Sequence, residues 1–315
     1  MSSSSPDLNA AYQQFTSQQL SRAPHDASLL NKVVRPSLTY WQDAWYKLRH
    51  NPVAILGLCL LVIYVVLAAL APLFSQYGYD QQDYMARNLS PCAEHWFGTD
   101  AAGRDLWVRN WMGARVSLTI GLLVVLINTA LGVIVGGTAG YFGGKVDMAI
   151  MRVVDVLYGI PTIILAILLM VVMGPGIASL IIAMVCVGWI GSARLVRGQV
   201  LQLKNMEYVM AARTLGASDS RIIFRHMIPN ISGIIITNMT MAIPNAIFTE
   251  AFLSYIGLGV QPPNCSWGSL AQTASEVYKL YPYQLIIPAI FICTTMLSLN
   301  MLGDGLRDAL DPKMH

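Results

Sequence analysis

Charge-poor apolar runs recur along the chain at residues 52–74, 116–139, 151–173, 177–195, 231–255 and 285–302. Each approaches the roughly 20 apolar residues that a helix needs to cross the hydrocarbon core of a bilayer. The pattern predicts an all-α membrane protein with six transmembrane helices. Only Met173-Gly174-Pro175-Gly176 separates the third run from the fourth, so Gly and Pro turn those two into a hairpin. Ahead of the first run, Leu38, Trp41, Trp45 and Leu48 recur at helical spacing beside Lys47 and Arg49. That spacing predicts an amphipathic helix lying in the membrane interface over residues 32–51. Residues 1–31, rich in Ser, Gln and Ala, read as a disordered cytoplasmic tail rather than a signal peptide.

Sidedness follows from basic residues in short connections. Arg194, Arg197, Lys204, Arg213, Arg221 and Arg225 stand against Glu207 and Asp219, while the turn after the third run has no charge. The segment 194–225 is therefore expected in the cytoplasm, with both termini, and loops 75–115 and 259–284 outside. Arg104, Arg109 and Arg115 fall in the first outer loop, where Asp100 and Asp105 intersperse them. Composition agrees with burial in lipid: 55% of residues are hydrophobic and 12% charged, against about a quarter charged in soluble domains. A net charge of +3 without an aromatic-interleaved basic stripe gives no support to nucleic-acid binding.

Within the runs, Gly132, Gly136, Gly140 and Gly144 recur every fourth residue and clear one helix face of side chains. That face serves either as a seam against a moving helix or partner subunit, or as static packing within the chain. Pro161, Pro244 and Pro288 each remove a backbone donor, so kinks are expected there. Arg152 and Asp155 are spaced to pair on one helix near the inner interface. Ionisable groups are otherwise scarce in the runs, with Glu250 toward the outer end of the fifth. Proton- or sodium-coupled transporters need such groups or broken-helix ion sites at depth.

Catalytic patterns are missing. The nearest approach to a nucleotide-binding P-loop is Gly144-Lys145, with Ala139 where glycine is needed and Val146 where a metal-binding hydroxyl is needed. His25, His50, His95, His226 and His315 are scattered, and no C-x-x-C pair occurs among the cysteines. Cys59, Cys186 and Cys293 read as small hydrophobes; Cys92 and Cys265 fall in outer loops and read as two unpaired thiols rather than a disulfide. The chain is expected to hold no metal or cofactor and to catalyse nothing by itself.

The inner segment carries Met210, Ala211 and Ala212, then Gly216, then His226-Met227-Ile228-Pro229. Its spacing resembles the EAA motif of type I ABC importer permeases: Glu-Ala-Ala, three residues, Gly, nine residues, Ile-x-Leu-Pro. Met210 replaces the acidic residue, His226 the isoleucine and Ile228 the leucine. The resemblance covers roughly residues 38–313 and is strongest to the C-type permease of oligopeptide and dipeptide importers. It rests further on His95-Trp96-Phe97-Gly98-Thr99-Asp100, Gly103-Arg104-Asp105 and Gly113-Ala114-Arg115 in the first outer loop. Leu253-Ser254-Tyr255-Ile256-Gly257-Leu258-Gly259, Ser266-Trp267-Gly268 and the run from Gly303 to Pro312 complete it.

The resemblance implies a six-helix permease domain over 52–313, with a cytoplasmic coupling segment at 204–228. It implies a homologous permease as heterodimer partner, two cytoplasmic ATPase subunits that carry ATP and Mg, and an extracytoplasmic peptide-binding protein, in a bacterial plasma membrane. Met210, Ala211, Ala212, Arg213, Thr214, Leu215, Gly216, Ala217 and Ser218 would contact the ATPases, with 211–218 as the coupling helix. Gly98, Thr99, Asp100, Gly103, Arg104, Asp105 and Trp267 would receive the binding protein, or else only fold their own loops. The same family also offers nickel or another small solute as cargo. A gradient-driven secondary transporter and a non-transporting scaffold are the readings from other classes.

Overall fold

The computed structural model describes residues 39–310. The expected tail over 1–31, the start of the 32–51 segment and the end of the 52–313 domain lie outside the described residues. Helices α1 (Tyr40–His50), α2 (Pro52–Phe74), α3 (Leu106–Phe142), α4 (Gly144–Tyr158) and α5 (Thr162–Met173) make the first half. Helices α6 (Ile177–Leu203), α7 (Glu207–Thr214), α8 (Ser232–Tyr255), α9 (Trp267–Ser275) and α10 (Pro282–Leu310) follow, with a short helical connection Asp219–Asn230 ahead of α8. Among the described residues the β structure is one isolated bridge, Thr99 with Asp105.

The body belongs to a unit that starts at Asp43; of the unit before it, residues 39–42 are described, where Thr39 N donates to Gln42 Oε1 at 3.0 Å. On α1, Ala44 and Leu48 are the buried residues, while Trp41 and Trp45 stay exposed. Asn51 ends α1 and starts α2, its Oδ1 accepting from Val53 N and Ala54 N at 3.1 and 3.2 Å. Pro52 suits the first helical position, where no intrahelical N–H is needed.

Among the described residues four helices are long and apolar enough to cross a membrane alone: α2, α3, α6 and α10. The count reaches six crossings when two bent pairs are each taken as one. The third run is therefore corrected from a kinked helix to a break: α4 and α5 meet at 82° across Gly159, Ile160 and Pro161. Proline steers the residue before it away from helical geometry, so a break is cheaper than a kink. With 12 residues, α5 reaches about 18 Å, too short to cross about 30 Å of hydrocarbon. Ahead of the fifth run, Asp219–Asn230 meets α8 at 68°, whereas α8 and α10 continue through Pro244 and Pro288.

Helix α3 runs 37 residues, about 55 Å, and starts ahead of the 116–139 run because Asp105 caps it, accepting from Val108 N at 2.9 Å. Arg109 and Arg115 thus sit on a helix rather than in a loop. Pro72 cannot donate to Ala68, and Arg115 supplies that bond, its Nε donating to Ala68 O at 2.7 Å and Nη2 to Ala69 O at 2.8 Å.

The seam between α3 and α6 is built on glycine. A Cβ on Gly132 or Gly136 would run into Ser192 and Ala193, and one on Gly140 would sit 2.8 Å from Arg197 O. Gly144 departs from this stripe: it has φ +52°, opens α4 and meets nothing, so it is removed from the packing face. The expected Arg152–Asp155 pair is also corrected, since Asp155 accepts from Arg194 Nη2 at 2.7 Å, joining α4 to α6. Three cores result. Val124, Met170, Leu180 and Leu253 centre the first, Val200, Val209, Ile222 and Met227 the second, and Trp111, Trp267 and Phe291 the third.

Candidate functional site

Val209 is the only buried residue of α7 and is driven into the second core against Tyr141, Val196, Ile222 and Met227. The rest of the helix is thereby turned outward. Ala211, Arg213, Thr214, Gly216 and Ser218 are exposed, Ala212 and Ala217 are half-buried, and Met210 is exposed. Leu215, at 87% exposure, is an apolar tip that buries nothing of its own chain.

The helix stops at Thr214, so the expected coupling helix over 211–218 is corrected to the end of one helix plus a turn. Gly216 adopts φ +81°, a conformation open to glycine at little cost. Across it Ala217 N donates to Ala212 O at 3.1 Å and Gly216 N to Arg213 O at 3.0 Å, satisfying carbonyls that a helix end otherwise orphans. Side chains then fasten the turn to the bundle. Tyr141 O–H donates to Asp219 Oδ1 at 2.6 Å, the Arg213 guanidinium lies 5.2 Å over the Tyr141 ring, and Asn230 Nδ2 donates to Tyr208 Oη at 2.7 Å. The product is a braced knob at one end of the bundle, with small residues around one apolar tip.

At the other end, most of the motif residues offered either for docking or for folding their own loops point inward. Trp267 is 0% exposed and its Nε1 donates to Asn110 O at 3.1 Å. Asp100 is buried and accepts from Ala102 N at 2.8 Å, Arg104 N at 3.0 Å and Arg104 Nε at 2.7 Å. Asp105 is buried beneath His95, whose Nδ1 lies 2.8 Å from its Oδ2, and the Thr99 hydroxyl donates to Ala86 O. Gly98 and Gly103 take φ +75° and +74° to make the turns, with neighbouring backbone where a Cβ would stand. These residues satisfy one another and present little to a partner; Tyr84, Met85, Trp96 and Leu280 are among the large apolar residues that this end exposes.

Glu250 was legible in the sequence only as a position. It is 0% exposed, Ser117 Oγ and Ser254 Oγ each donate to it at 2.7 Å, and Ser254 Oγ in turn accepts from Val260 N at 3.2 Å. The carboxylate thus knots α3 to α8 and to the loop that follows α8. Five free cysteines are present among the described residues, Cys92 exposed and Cys265 buried. No group of three or more His, Cys, Asp or Glu among the described residues could hold a metal ion.

Residues 115–315 match the family described as binding-protein-dependent transport system inner membrane component, and residues 39–91 match the N-terminal transmembrane domain of oligopeptide transport permease C. The oligopeptide transport system permease protein OppC of Bacillus subtilis is 47% identical over 93% of this chain and 96% of its own length. The dipeptide transport system permease protein DppC of the same bacterium is 49% identical over 90% of this chain and 89% of its own. Among solved structures, the MetNI methionine ABC transporter in an inward-facing conformation aligns with TM-score 0.52 at 17% identity, covering 64% of this chain and 97% of that one, a likeness of fold. With its length matched in this way, the chain belongs to the inner membrane permeases of binding-protein-dependent ABC importers, in their oligopeptide and dipeptide permease branch.

Proposed function

We propose that the chain is one of two homologous permease subunits of an importer that takes up oligopeptides or dipeptides, and that it provides half of the translocation path. The observation that carries this reading is the braced knob over 207–218, whose Leu215 tip and Gly216 turn are held out from the bundle without covering anything in this chain. Such a projection suits a groove on a separate motor. In this reading two cytoplasmic ATPase subunits hold ATP and Mg, and the chain itself carries neither.

Met210 to Ser218 form the contact with one ATPase. ATP binding draws the ATPases together, and the knob transmits that displacement to α3 and α6, shifting the permease pair between inward-open and outward-open packings. The basic segment around it supports a topology with both termini in the bacterial cytoplasm. The outer end then faces an extracytoplasmic peptide-binding protein, which meets the exposed Tyr84, Met85 and Trp96 rather than the buried motif residues. The peptide cargo is supported by the similarity to an oligopeptide and a dipeptide transport permease.

Affinity purification of the chain with identification of the co-purifying subunits tests the partners, and uptake of a labelled peptide by the reconstituted complex tests the cargo. ATP-independent uptake driven by an ion gradient would sink the importer reading, as would purification without any ATPase.

A further inference from the structure

A cavity of about 190 Å³ lies where α3, α5, α6 and α8 converge, and its polar lining is Asn128, Thr129, Thr162, Ser192, Asn245 and Thr249. No charged side chain among the described residues lines it. Asn128 stands at the middle of the apolar run 116–139 and Asn245 near the middle of 231–255, so both amides are placed at the depth where unpaired polar groups cost most. Asn128 is 9% exposed, yet its Oδ1 has no hydrogen-bond partner among the described residues. The site is fitted around this group: a Cβ on Gly188 would lie 2.8 Å from Asn128 Cγ, so glycine there makes room for the amide. A side chain kept only as glue between helices would use its oxygen on a neighbouring helix, as Ser192 does in accepting from Asn238 Nδ2 at 3.3 Å.

We propose that Asn128 and Asn245 read the peptide backbone of the cargo at the midplane of the path, an inference that rests on the peptide-importer reading. A side-chain amide both donates and accepts, which is the pairing that a peptide group offers. Peptide C=O groups would take hydrogen bonds from the amide Nδ2 atoms, and peptide N–H groups would donate to the Oδ1 atoms. The hydroxyls of Thr129, Thr162 and Thr249 can extend this lining along the wall. Without a fixed charge, the station neither attracts nor repels by the sign of cargo side chains, so it passes peptides of varied sequence while requiring backbone donors and acceptors.

The test compares uptake of a labelled tripeptide with uptake of the same tripeptide N-methylated at one internal peptide nitrogen. Both are delivered to the complete reconstituted importer by one binding protein. That protein's own preference is common to every permease variant and cancels between them. The expected result is an unmethylated-to-methylated ratio about fivefold larger for the wild type than for Asn128→Leu or Asn245→Leu, the size of one hydrogen bond. An unchanged ratio in variants that assemble and hydrolyse ATP overturns the proposal. Asn245 is exposed in the chain, so Asn245→Leu carries the comparison if Asn128→Leu fails to assemble. A wild-type complex that imports neither tripeptide overturns the importer reading and this inference together, whereas uptake with an unchanged ratio overturns the inference alone.

Discussion

Tyr141, near the end of α3, donates its hydroxyl to Asp219 at 2.6 Å, and the Arg213 guanidinium covers the same ring at 5.2 Å. Three pieces of chain meet there: the α3 end, the end of α7 and the connection into α8. In the proposed importer a displacement of the knob would therefore reach α3, which continues without a break past Asn128 to its cap at Asp105.

Tyr141→Phe keeps the ring and removes the bond. We expect it to cost about 1 kcal/mol of stability and to lower peptide uptake several-fold while ATP hydrolysis by the complex persists. Arg213→Glu should do more, since it loses the ring contact and sets a carboxylate beside Asp219; its expected result is weaker recovery of the ATPases on purification. Full recovery with full uptake in both variants would remove this joint from the coupling route.

Gly216 is the second element of the knob. A β-branched residue forced to φ +81° is strained by roughly 1–2 kcal/mol or more, and the turn should reopen. Gly216→Val is expected to insert in the membrane at normal levels and to lose peptide uptake. Leu215→Asp alters the tip without touching the turn, so it should leave stability within about 0.5 kcal/mol and reduce ATPase co-purification. Normal uptake by Gly216→Val would show that the turn is not what the motor grips.

Much of this architecture was readable in advance, for physical reasons that also mark where reading stopped. Runs of apolar residues report exposure to lipid, so they mark the crossings; they do not report direction, so Pro161 reads as a kink where the chain breaks by 82°, and the 68° bend before Ser232, at the start of the fifth run, leaves no mark in them. Gly216 suits its turn because a left-handed backbone selects for glycine, yet the resemblance carried a helix through it over 211–218. The Gly132, Gly136 and Gly140 face was legible from its period, whereas Gly144 kept that period by coincidence, standing past the helix end at Gly143. The loop motifs left two readings open. Asp100, Asp105 and Trp267 look like surface recognition residues in a loop, and only three-dimensional closure shows their hydrogen bonds turned inward. Glu250 and Asn128 had no local signature, because what makes each informative is its surroundings on other helices.

The glycine seam makes a paired prediction. Gly136→Ala drives a Cβ into the Ala193 backbone, which cannot move without parting α3 from α6. A loss of about 2–4 kcal/mol and a sharp fall in folded yield are expected. Gly144→Ala meets open space and bears only the strain of φ +52°, so about 1 kcal/mol and near-normal yield are expected. Thermal unfolding of the detergent-solubilised complexes measures both; equal losses would mean that the α3–α6 contact is looser than its geometry requires.

Cysteine chemistry tests sidedness and packing in one experiment. Cys92 is exposed in the loop over 75–105, while Cys265 is buried beside α3, where its Sγ lies 3.4 Å from Arg109 O. Burial pushes the Cys265 thiol up from its usual range, so the reactive thiolate forms there only at higher pH than for a free thiol. With the outer loops outside the cell, a membrane-impermeant maleimide added to spheroplasts should label Cys92 quickly and Cys265 hardly at all; Cys59, Cys186 and Cys293 lie within lipid-crossing helices, beyond an impermeant reagent. A Cys92→Ser variant should lose nearly all outside labelling, and unfolding in denaturant should bring Cys265 into reach. Labelling of Cys92 only in inverted vesicles would reverse the proposed orientation, put the Leu215 knob outside the cell and leave a cytoplasmic ATPase nothing to hold. Rapid labelling of Cys265 in the native protein would instead mean that the loop between α8 and α9 opens, and that the outer cap is not the closed structure described.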